Sequence, residues 1–260
     1  MNRIERRFKE LKKRKKKAFI AFITAGYPSL DVTKRLVLEF AKTGVDVVEL
    51  GVPFSDPLAD GPVIQESSQR ALKNKVNLDH ILRLVRELRI HTDIPIALMT
   101  YYNPIFCFGE KEFARKASAA GVDGVIVPDL PPDEGKSLLK LANKHKLDVI
   151  CFISPTTSRK RIKYIAKVSR GFIYYVSLTG VTGARSSLPS DLISHIRSVK
   201  RAARKPVCVG FGISSPKQVK AINKAADGVI VGSAIIKKIK ANIGRPDLVK
   251  KVSKFIQSLQ

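Results

Sequence analysis

Short apolar runs alternate along the chain with segments in which apolar residues recur every three or four positions. The runs have the length of buried strands, and the longer segments have the period of amphipathic helices. A strand-like run followed by a helical pattern recurs about every 30 residues, which indicates a parallel sheet. We predict eight strands, at residues 18–24, 45–50, 95–100, 124–127, 148–153, 172–176, 206–210 and 228–231.

Eight such units in 260 residues match the size of a (β/α)8 TIM barrel. The alternative, an open doubly wound sheet, would carry a GxGxxG fingerprint after its first strand, where this chain reads "FITAGYPSL". Two helical patterns, at residues 63–74 and 78–91, separate the second and third strands, and further ones flank the first and last strands. Because there is no linker, we expect a single α/β domain over residues 1–260, a TIM barrel with extra helices.

The first 16 residues are predicted to form a basic amphipathic helix. Ile4, Phe8 and Leu11 follow one another at i, i+4 and i+7, so they share one helical face that we expect to pack on the barrel. The segment has two glutamates and no serine, which argues against a transit peptide.

The formal net charge of +26 raises the question of a nucleic-acid or membrane-surface function. Residues 1–17 carry a net charge of +8, which leaves +18 for the other 243 residues, so we expect a surface that is basic everywhere. Aromatic residues do not alternate with basic ones as in single-strand binding platforms, and zinc-finger and zipper signatures are absent from the sequence. These features argue against nucleic acid as the principal ligand.

The apolar runs also bear on where the protein works. They are far shorter than the roughly 18 residues that a membrane span requires. The three cysteines, Cys107, Cys151 and Cys208, lie more than 40 residues apart, and the four histidines show no metal-ligand spacing. We expect a cytoplasmic protein with reduced thiols and no metal site.

The stretch "VVELGVPFSDPLADGP", residues 47–62, places a carboxylate at the end of a buried strand. Alternate side chains of a barrel strand share a face, so Val45, Val47 and Glu49 should point inward, with Glu49 at the carboxyl-terminal rim where barrel active sites lie. An inward carboxylate without a partner has a raised pKa and suits acid/base catalysis. A structural glutamate bonded to neighbouring backbone is the alternative.

Two further acids follow in the same loop. Asp60 in "LADGP" and Asp56 in "SDP" are both explained as turn formers, because Asp-Gly and Asp-Pro favour bends. Of the two, Asp60 is the better candidate for a second catalytic carboxylate. Two carboxylates on one rim suit a reaction in which one moves a proton and the other holds a polar hydrogen.

Glycines follow each of the last three strands, in "TGVTGARSS", "GFGISSP" and "VGSAIIKK". Glycine lets backbone N–H groups approach an anion, and Gly232 and Ser233 open a helix whose N-terminus favours negative charge. Loops after strands seven and eight of this fold often hold a phosphate, so Gly183, Gly212, Gly232 and Ser233 are the candidates. The long connection at residues 177–189 is suited to closing over a substrate, with Thr182 within it; an ordinary surface loop is the alternative.

These motifs together resemble the alpha subunit family of tryptophan synthase. "ELGVPFSDPLADGP" is closely similar to the family signature, and "PDLPPDE", "GVTGAR" and "GFGIS" follow in the right order. The resemblance runs from "AFITAGYP" to "VGSAIIK". It implies a (β/α)8 lyase that cleaves indole-3-glycerol phosphate to indole and glyceraldehyde 3-phosphate by a retro-aldol step.

Carried over position by position, the resemblance makes Glu49 the general acid/base and Asp60 the acceptor of the indole N–H. Thr182 matches a loop threonine that contacts Asp60 on closure, and Tyr174 matches a tyrosine beside Glu49. The resemblance assigns the phosphate to Gly183, Gly212, Gly232 and Ser233, with Phe211 in the same loop as Gly212. Without the resemblance, Tyr174 and Phe211 are equally explained as packing residues.

The resemblance also implies a partner, the pyridoxal-phosphate-dependent beta subunit, in an αββα heterotetramer, with Asp129 near the subunit interface. It implies no metal and no organic cofactor for this chain itself.

So basic a chain is unusual for the family. The alternatives are a different phosphosugar barrel, such as an isomerase of the same pathway, and an RNA- or membrane-surface binding protein.

Overall fold

Nine parallel strands form one sheet in a computed structural model that describes residues 1–176, 191–210 and 212–260. Each strand except the short one after Cys151 is preceded by at least one helix, as the alternating pattern predicts. The strands are β1 (Ala18–Thr24), β2 (Val47–Gly51), β3 (Ile96–Met99), β4 (Gly124–Ile126), β5 (Asp148–Ile150), β6 (Phe152–Ile153), β7 (Ile173–Val176), β8 (Val207–Gly210) and β9 (Gly228–Val231).

The sheet closes into a barrel. Its order is β5-β4-β3-β2-β1-β9-β8-β7-β6, and β5 and β6 at the two ends of that order are separated only by Cys151. The Cys151 N–H donates to the Ser169 hydroxyl at 3.1 Å instead of to a strand, while its carbonyl accepts from Tyr174 N–H at 3.0 Å. The predicted strand 148–153 is therefore two short strands, one paired with β4 and one with β7. The predicted TIM barrel is confirmed.

Twelve helices surround the sheet in the described part of the chain. The predicted patterns at 63–74 and 78–91 correspond to α3 and α4, whereas α5, a seven-residue helix containing Pro104, was not predicted. None of the helices in the described ranges is long and apolar enough to cross a membrane. They are α1 (Arg3–Lys13), α2 (Leu30–Phe40), α3 (Pro62–Lys73), α4 (Leu78–Leu88), α5 (Tyr102–Phe108), α6 (Glu110–Ala120), α7 (Lys136–Lys144), α8 (Arg159–Val168), α9 (Leu192–Ala203), α10 (Pro216–Asn223), α11 (Ser233–Lys240) and α12 (Leu248–Leu259).

Helix α1 covers the amino-terminal end of the barrel. Its first turn is capped by the Asn2 side chain, which accepts a hydrogen bond from Glu5 N–H at 3.0 Å. Ile4, Phe8 and Leu11 are buried and belong to the apolar cluster inside the barrel. The Phe8 ring lies 5.5 Å, centre to centre, from Phe172 at the start of the strand β7 region. The barrel interior is therefore filled at this end, and Glu49 lies toward the other end.

Strand β2 carries its glutamate toward that other end. Val47 belongs to the interior cluster, and Glu49 follows two residues later on the same side of the strand. Val45 was predicted to share this face, but it packs in the outer cluster between strands and helices, because β2 begins only at Val47.

Candidate active site

Glu49 is fully buried, and neither of its carboxylate oxygens has a hydrogen-bond partner among the described residues. In the sheet it lies between Phe22 of β1 and Ala97 of β3. Burial, together with the nearby charge of Asp60, raises the pKa of Glu49 to about 8. A carboxyl group with this pKa is largely protonated at neutral pH, and it can donate a proton and take one back.

Asp60 is half-buried in the loop that follows β2. Its N–H donates to the Pro57 carbonyl at 3.0 Å, and its own carbonyl accepts from the Gln65 side chain at 2.9 Å, so a turn and the start of α3 hold the residue in place. Burial raises the pKa of the Asp60 carboxyl to about 6, although a hydrogen bond from Tyr101 acts in the opposite direction. Asp60 is thus ionised at neutral pH beside a protonated Glu49.

Tyr101, just after β3, was not predicted as a site residue. Its hydroxyl accepts a hydrogen bond from Ala59 N–H at 2.9 Å and bonds the Asp60 carboxylate. Burial and the charge of Asp60 raise the pKa of this hydroxyl, so it stays protonated and able to donate. The signal in the sequence is its place directly after a strand, which is a rim position in this fold.

Tyr174 of β7 faces both carboxylates. Burial raises its pKa well above the usual value, and the charges of Glu49 and Asp60 add to the effect. The ring packs 4.7 Å, centre to centre, from Phe152, and it passes directly over Gly210 at the end of β8. A Cβ atom at Gly210 would lie 2.5 Å from the Tyr174 hydroxyl oxygen, so this position admits no side chain while the tyrosine keeps its place. Tyr174 thus lies near the two carboxylates, and its role in substrate binding stays a prediction.

Phe22 of β1, also missed in the sequence, lies between the ends of β2 and β9. A Cβ atom at Gly51 would lie 2.7 Å from the Phe22 ring, and one at Gly232 would lie 3.2 Å from it. Phe22, Gly51, Asp60 and Tyr101 line the same narrow cleft. The lining of this cleft is largely apolar, and Asp60 is its one carboxylate.

Three of the four predicted phosphate-binding residues, Gly212, Gly232 and Ser233, lie just after the adjacent ends of β8 and β9. Gly212 has a φ of +38°, in the region that favours glycine, and the space where its side chain would be is open. Gly232 is the N-cap of α11, no side chain caps this helix, and Ser233 is its first residue. Exposed N–H groups and the helix dipole at such an end favour an anion.

Three predicted residues, Thr182, Gly183 and Phe211, and the predicted closing loop at 177–189 lie outside the described residues. Asp56 is exposed and accepts a hydrogen bond from Ser55, in keeping with a turn former. Asp129 accepts from Tyr102 N–H with both oxygens, at 2.9 and 3.1 Å, and so anchors the start of α5. Within the described ranges no group of three or more His, Cys, Asp or Glu side chains could hold a metal ion.

Comparison with known proteins gives a consistent result. A sequence model of the family described as tryptophan synthase alpha chain matches residues 8–260. The alpha chain of Caldanaerobacter subterraneus is 46% identical over all 260 residues, with 99% of the relative covered. That of Geobacter sulfurreducens is 48% identical, with 100% of this chain and 98% of the relative covered.

Solved structures agree with the sequence relatives. The crystal structure of the alpha subunit from Legionella pneumophila superposes with a TM-score of 0.93 at 39% identity, covering 100% of this chain and 97% of that one. A chain from the tryptophan synthase a2b2 complex of Pyrococcus furiosus superposes with a TM-score of 0.87 at 40% identity, covering 93% and 97%. The protein described here therefore belongs to the tryptophan synthase alpha chain family.

Proposed function

We propose that this chain is the lyase subunit that cleaves indole-3-glycerol phosphate into indole and glyceraldehyde 3-phosphate, with Glu49 as the acid/base. The observation that carries the proposal is the buried Glu49 carboxyl, which has no hydrogen-bond partner in the described part of the chain and lies at the rim beside Asp60. Membership of the family makes the chain a lyase of tryptophan biosynthesis.

The proton balance of the reaction fits a single acid/base group. Protonated Glu49 gives its proton to C3 of the indole ring, which makes the ring an electron acceptor. The resulting carboxylate takes the proton of the hydroxyl on the adjacent side-chain carbon, and the carbon–carbon bond breaks as the aldehyde forms. The bonding electrons neutralise the ring, indole is released, and Glu49 ends protonated as it began. A pKa of about 8 suits both halves of this cycle near neutral pH.

Asp60 serves as the acceptor of the indole N–H and stabilises the positive charge that protonation places on the ring nitrogen. Its pKa of about 6 keeps it ionised at neutral pH, and Tyr101 orients it. Phe22 supplies an apolar wall of the cleft for the ring. An ionised Asp60 also disfavours a second negative charge on Glu49, which keeps the acid in its donor form.

The phosphate of the substrate binds at Gly212, Gly232 and Ser233, supported by the uncapped start of α11 and the open space at Gly212. Gly183 completes this set, Phe211 contributes from the same loop as Gly212, and Thr182 contacts Asp60 when the loop at 177–189 closes. Tyr174 packs beside Glu49 and confines the substrate. The chain itself needs no metal or organic cofactor for these steps.

The partner is a tryptophan synthase beta subunit, as in the a2b2 complex of the Pyrococcus furiosus relative. We propose that the beta subunit carries pyridoxal phosphate, that the assembly is an αββα heterotetramer, and that indole passes between subunits inside it. We also propose that the chain is a single barrel domain over residues 1–260, with the amphipathic helix near residues 1–16 packed on the barrel, and that it works in the cytoplasm.

A direct test is to incubate the purified chain with indole-3-glycerol phosphate and to measure free indole and glyceraldehyde 3-phosphate, with and without a beta subunit. The chain contains no tryptophan, so its own fluorescence does not mask the indole signal. We expect equal amounts of both products, in a reaction that the beta subunit accelerates. No release of indole under either condition would refute the proposal.

A further inference from the structure

The positive charge of the chain is concentrated in its second half. Residues 136–260 contain 26 Lys and Arg but only four Asp and Glu, whereas residues 1–135 contain 22 and 18. The expectation of a surface that is basic everywhere is therefore wrong. Successive units of the barrel lie side by side around the sheet, so the second half of the sequence, with helices α7 to α12, forms one side of the molecule.

The four acids of this half do little to neutralise its outer surface. Asp148 is buried, Asp227 pairs with Lys200 at 2.7 Å, and Asp247 pairs with Lys251 at 3.0 Å within one turn. Asp191 lies at the start of α9. Residues 177–190 and 211, outside the described part, contain no acid in the sequence.

Part of this positive charge lies where α8 and α9 pack against each other. A surface groove between them is walled by five exposed cations, namely Arg159, Lys163, Lys167, Arg201 and Arg204. In the described residues none of the five forms a salt bridge, although ion pairs are common elsewhere on the surface. The floor of the groove is made of the small side chains of Ala166, Ala202 and Ala203. We call this surface the α8–α9 groove.

The cations are arranged in rows. Arg159, Lys163 and Lys167 follow one another at i, i+4 and i+8, so they share one face of α8 at intervals of about 6 Å. Arg201 and Arg204, three residues apart near the end of α9, lie on the opposite wall. Two rows of cations over a narrow alanine floor match an extended chain of regularly spaced anions.

We propose that the α8–α9 groove binds the phosphodiester backbone of RNA, without sequence preference and in addition to the enzymatic function. A chain of phosphates can contact both walls, and each contact releases a condensed counterion. The groove offers no aromatic ring on which a base could stack, so it recognises the backbone only.

Other anionic partners fit the α8–α9 groove less well. A protein partner would need apolar or aromatic anchors at the centre of the interface, and the groove lining provides only alanines and cations. A membrane surface would call for exposed large apolar side chains. Within the described residues these are Met1, Leu58, Ile90, Phe106 and Ile243, none of which is on α8 or α9.

The test measures the affinity of the full chain for a fluorescein-labelled 20-nucleotide poly(U) RNA between 50 and 200 mM salt. With five phosphate contacts, the logarithm of the binding constant should fall against the logarithm of salt concentration with a slope of about −3.5, which is roughly a hundredfold loss over this range. A slope near zero, or a Kd weaker than about 10⁻⁴ M at 50 mM salt, would overturn the proposal.

The variant Lys163→Gln/Lys167→Gln/Arg201→Gln removes three of the five cations. We expect it to reduce the slope by about 2 and to weaken binding about tenfold or more at 50 mM salt. Lys42→Gln/Arg83→Gln/Arg86→Gln is the matched control, because it removes the same charge from exposed residues without salt bridges in the other half of the chain. Thermal unfolding and indole release should be unchanged in both variants.

Two outcomes would contradict the α8–α9 groove as the site. Equal weakening in the two triple variants would show that net charge alone governs binding. Vesicles of phosphatidylserine and phosphatidylcholine provide the second comparison. The affinity for these vesicles and for RNA is compared per phosphate. If the vesicles bind as tightly as RNA and the groove substitutions weaken both equally, the surface is a membrane-binding site.

Discussion

The hydroxyl of Tyr101 accepts a 2.9 Å hydrogen bond from the N–H of Ala59, and so it fixes the loop in which the neighbouring Asp60 lies. The same hydroxyl bonds the Asp60 carboxylate and lowers its pKa against the effect of burial. One side chain that follows β3 therefore sets both the position and the charge of a carboxylate that follows β2. This part of the candidate site is therefore built from two neighbouring βα units of the barrel.

We expect Tyr101→Phe to reduce kcat/KM by roughly tenfold to a hundredfold, the value of one hydrogen bond to a charged group. Without that bond the pKa of Asp60 rises above about 6, so the acid limb of the pH profile should move to higher pH. Tyr102→Phe is the matched control, because the Tyr102 hydroxyl bonds Glu110 instead. Equal losses in the two variants, with no displaced acid limb, would contradict a positioning role for Tyr101.

Glu49→Gln should lower kcat by about 10² to 10⁴, because it preserves shape and removes proton transfer. In the wild-type chain, kcat/KM should fall below about pH 6 as Asp60 becomes protonated, and above about pH 8 as Glu49 loses its proton. The control is Asp148→Asn, which neutralises another buried carboxylate. Asp148 lies at the opposite end of the barrel, and burial raises its pKa to about 7. Near-normal turnover in Glu49→Gln would show that another group is the acid/base.

Glu49→Gln should also stabilise the fold at high pH. The pKa of Glu49 is raised in the folded state, so its contribution to stability is full below about pH 4.5 and is lost as the pH rises through about 8. Glutamine stays neutral throughout. We expect the free energy of unfolding of Glu49→Gln to equal that of the wild type at pH 4 and to exceed it by about 2 to 5 kcal/mol at pH 8. Denaturant titrations at the two pH values measure this; a difference that does not depend on pH would contradict the raised pKa.

Gly232→Asp should raise KM for indole-3-glycerol phosphate by about tenfold or more and leave kcat less affected, since it places a negative charge where the phosphate binds. Gly232→Ala separates the effect of size from that of charge, because a Cβ atom there would lie 3.2 Å from the Phe22 ring. Inorganic phosphate should inhibit the wild-type chain competitively and the Gly232→Asp variant much less. Identical values of KM in the two variants would place the phosphate elsewhere.

The barrel could be predicted from the sequence because each unit repeats the same switch from a short apolar run to a helical period. The division of the fifth strand at Cys151 could not, since it depends on a hydrogen bond to Ser169 that lies 18 residues away. Helix α5 was missed because seven residues with a proline show no clear period. These are features of tertiary structure that local patterns do not contain.

At the candidate site, Glu49 could be predicted because a carboxylate at the end of an apolar strand is unusual. Phe22, Tyr101 and Gly210 were not found, since aromatic residues and glycines near strands are most often packing or turn residues. Their roles depend on which strands are neighbours, for example Phe22 beside Glu49 and Gly210 beneath Tyr174. The uneven distribution of charge could be counted in the sequence. That it lies on one side of the molecule follows only from the barrel, in which the two halves of the sequence form two sides.

Helix α1 determines the end of the barrel at which small molecules can enter and leave. With Ile4, Phe8 and Leu11 filling the amino-terminal end, a ligand beside Glu49 reaches solvent by way of the opposite rim. The substrate and both products share that passage, and any channel that carries indole onward has to begin there. A subunit bound over the rim would therefore control both the entry of the substrate and the release of the products.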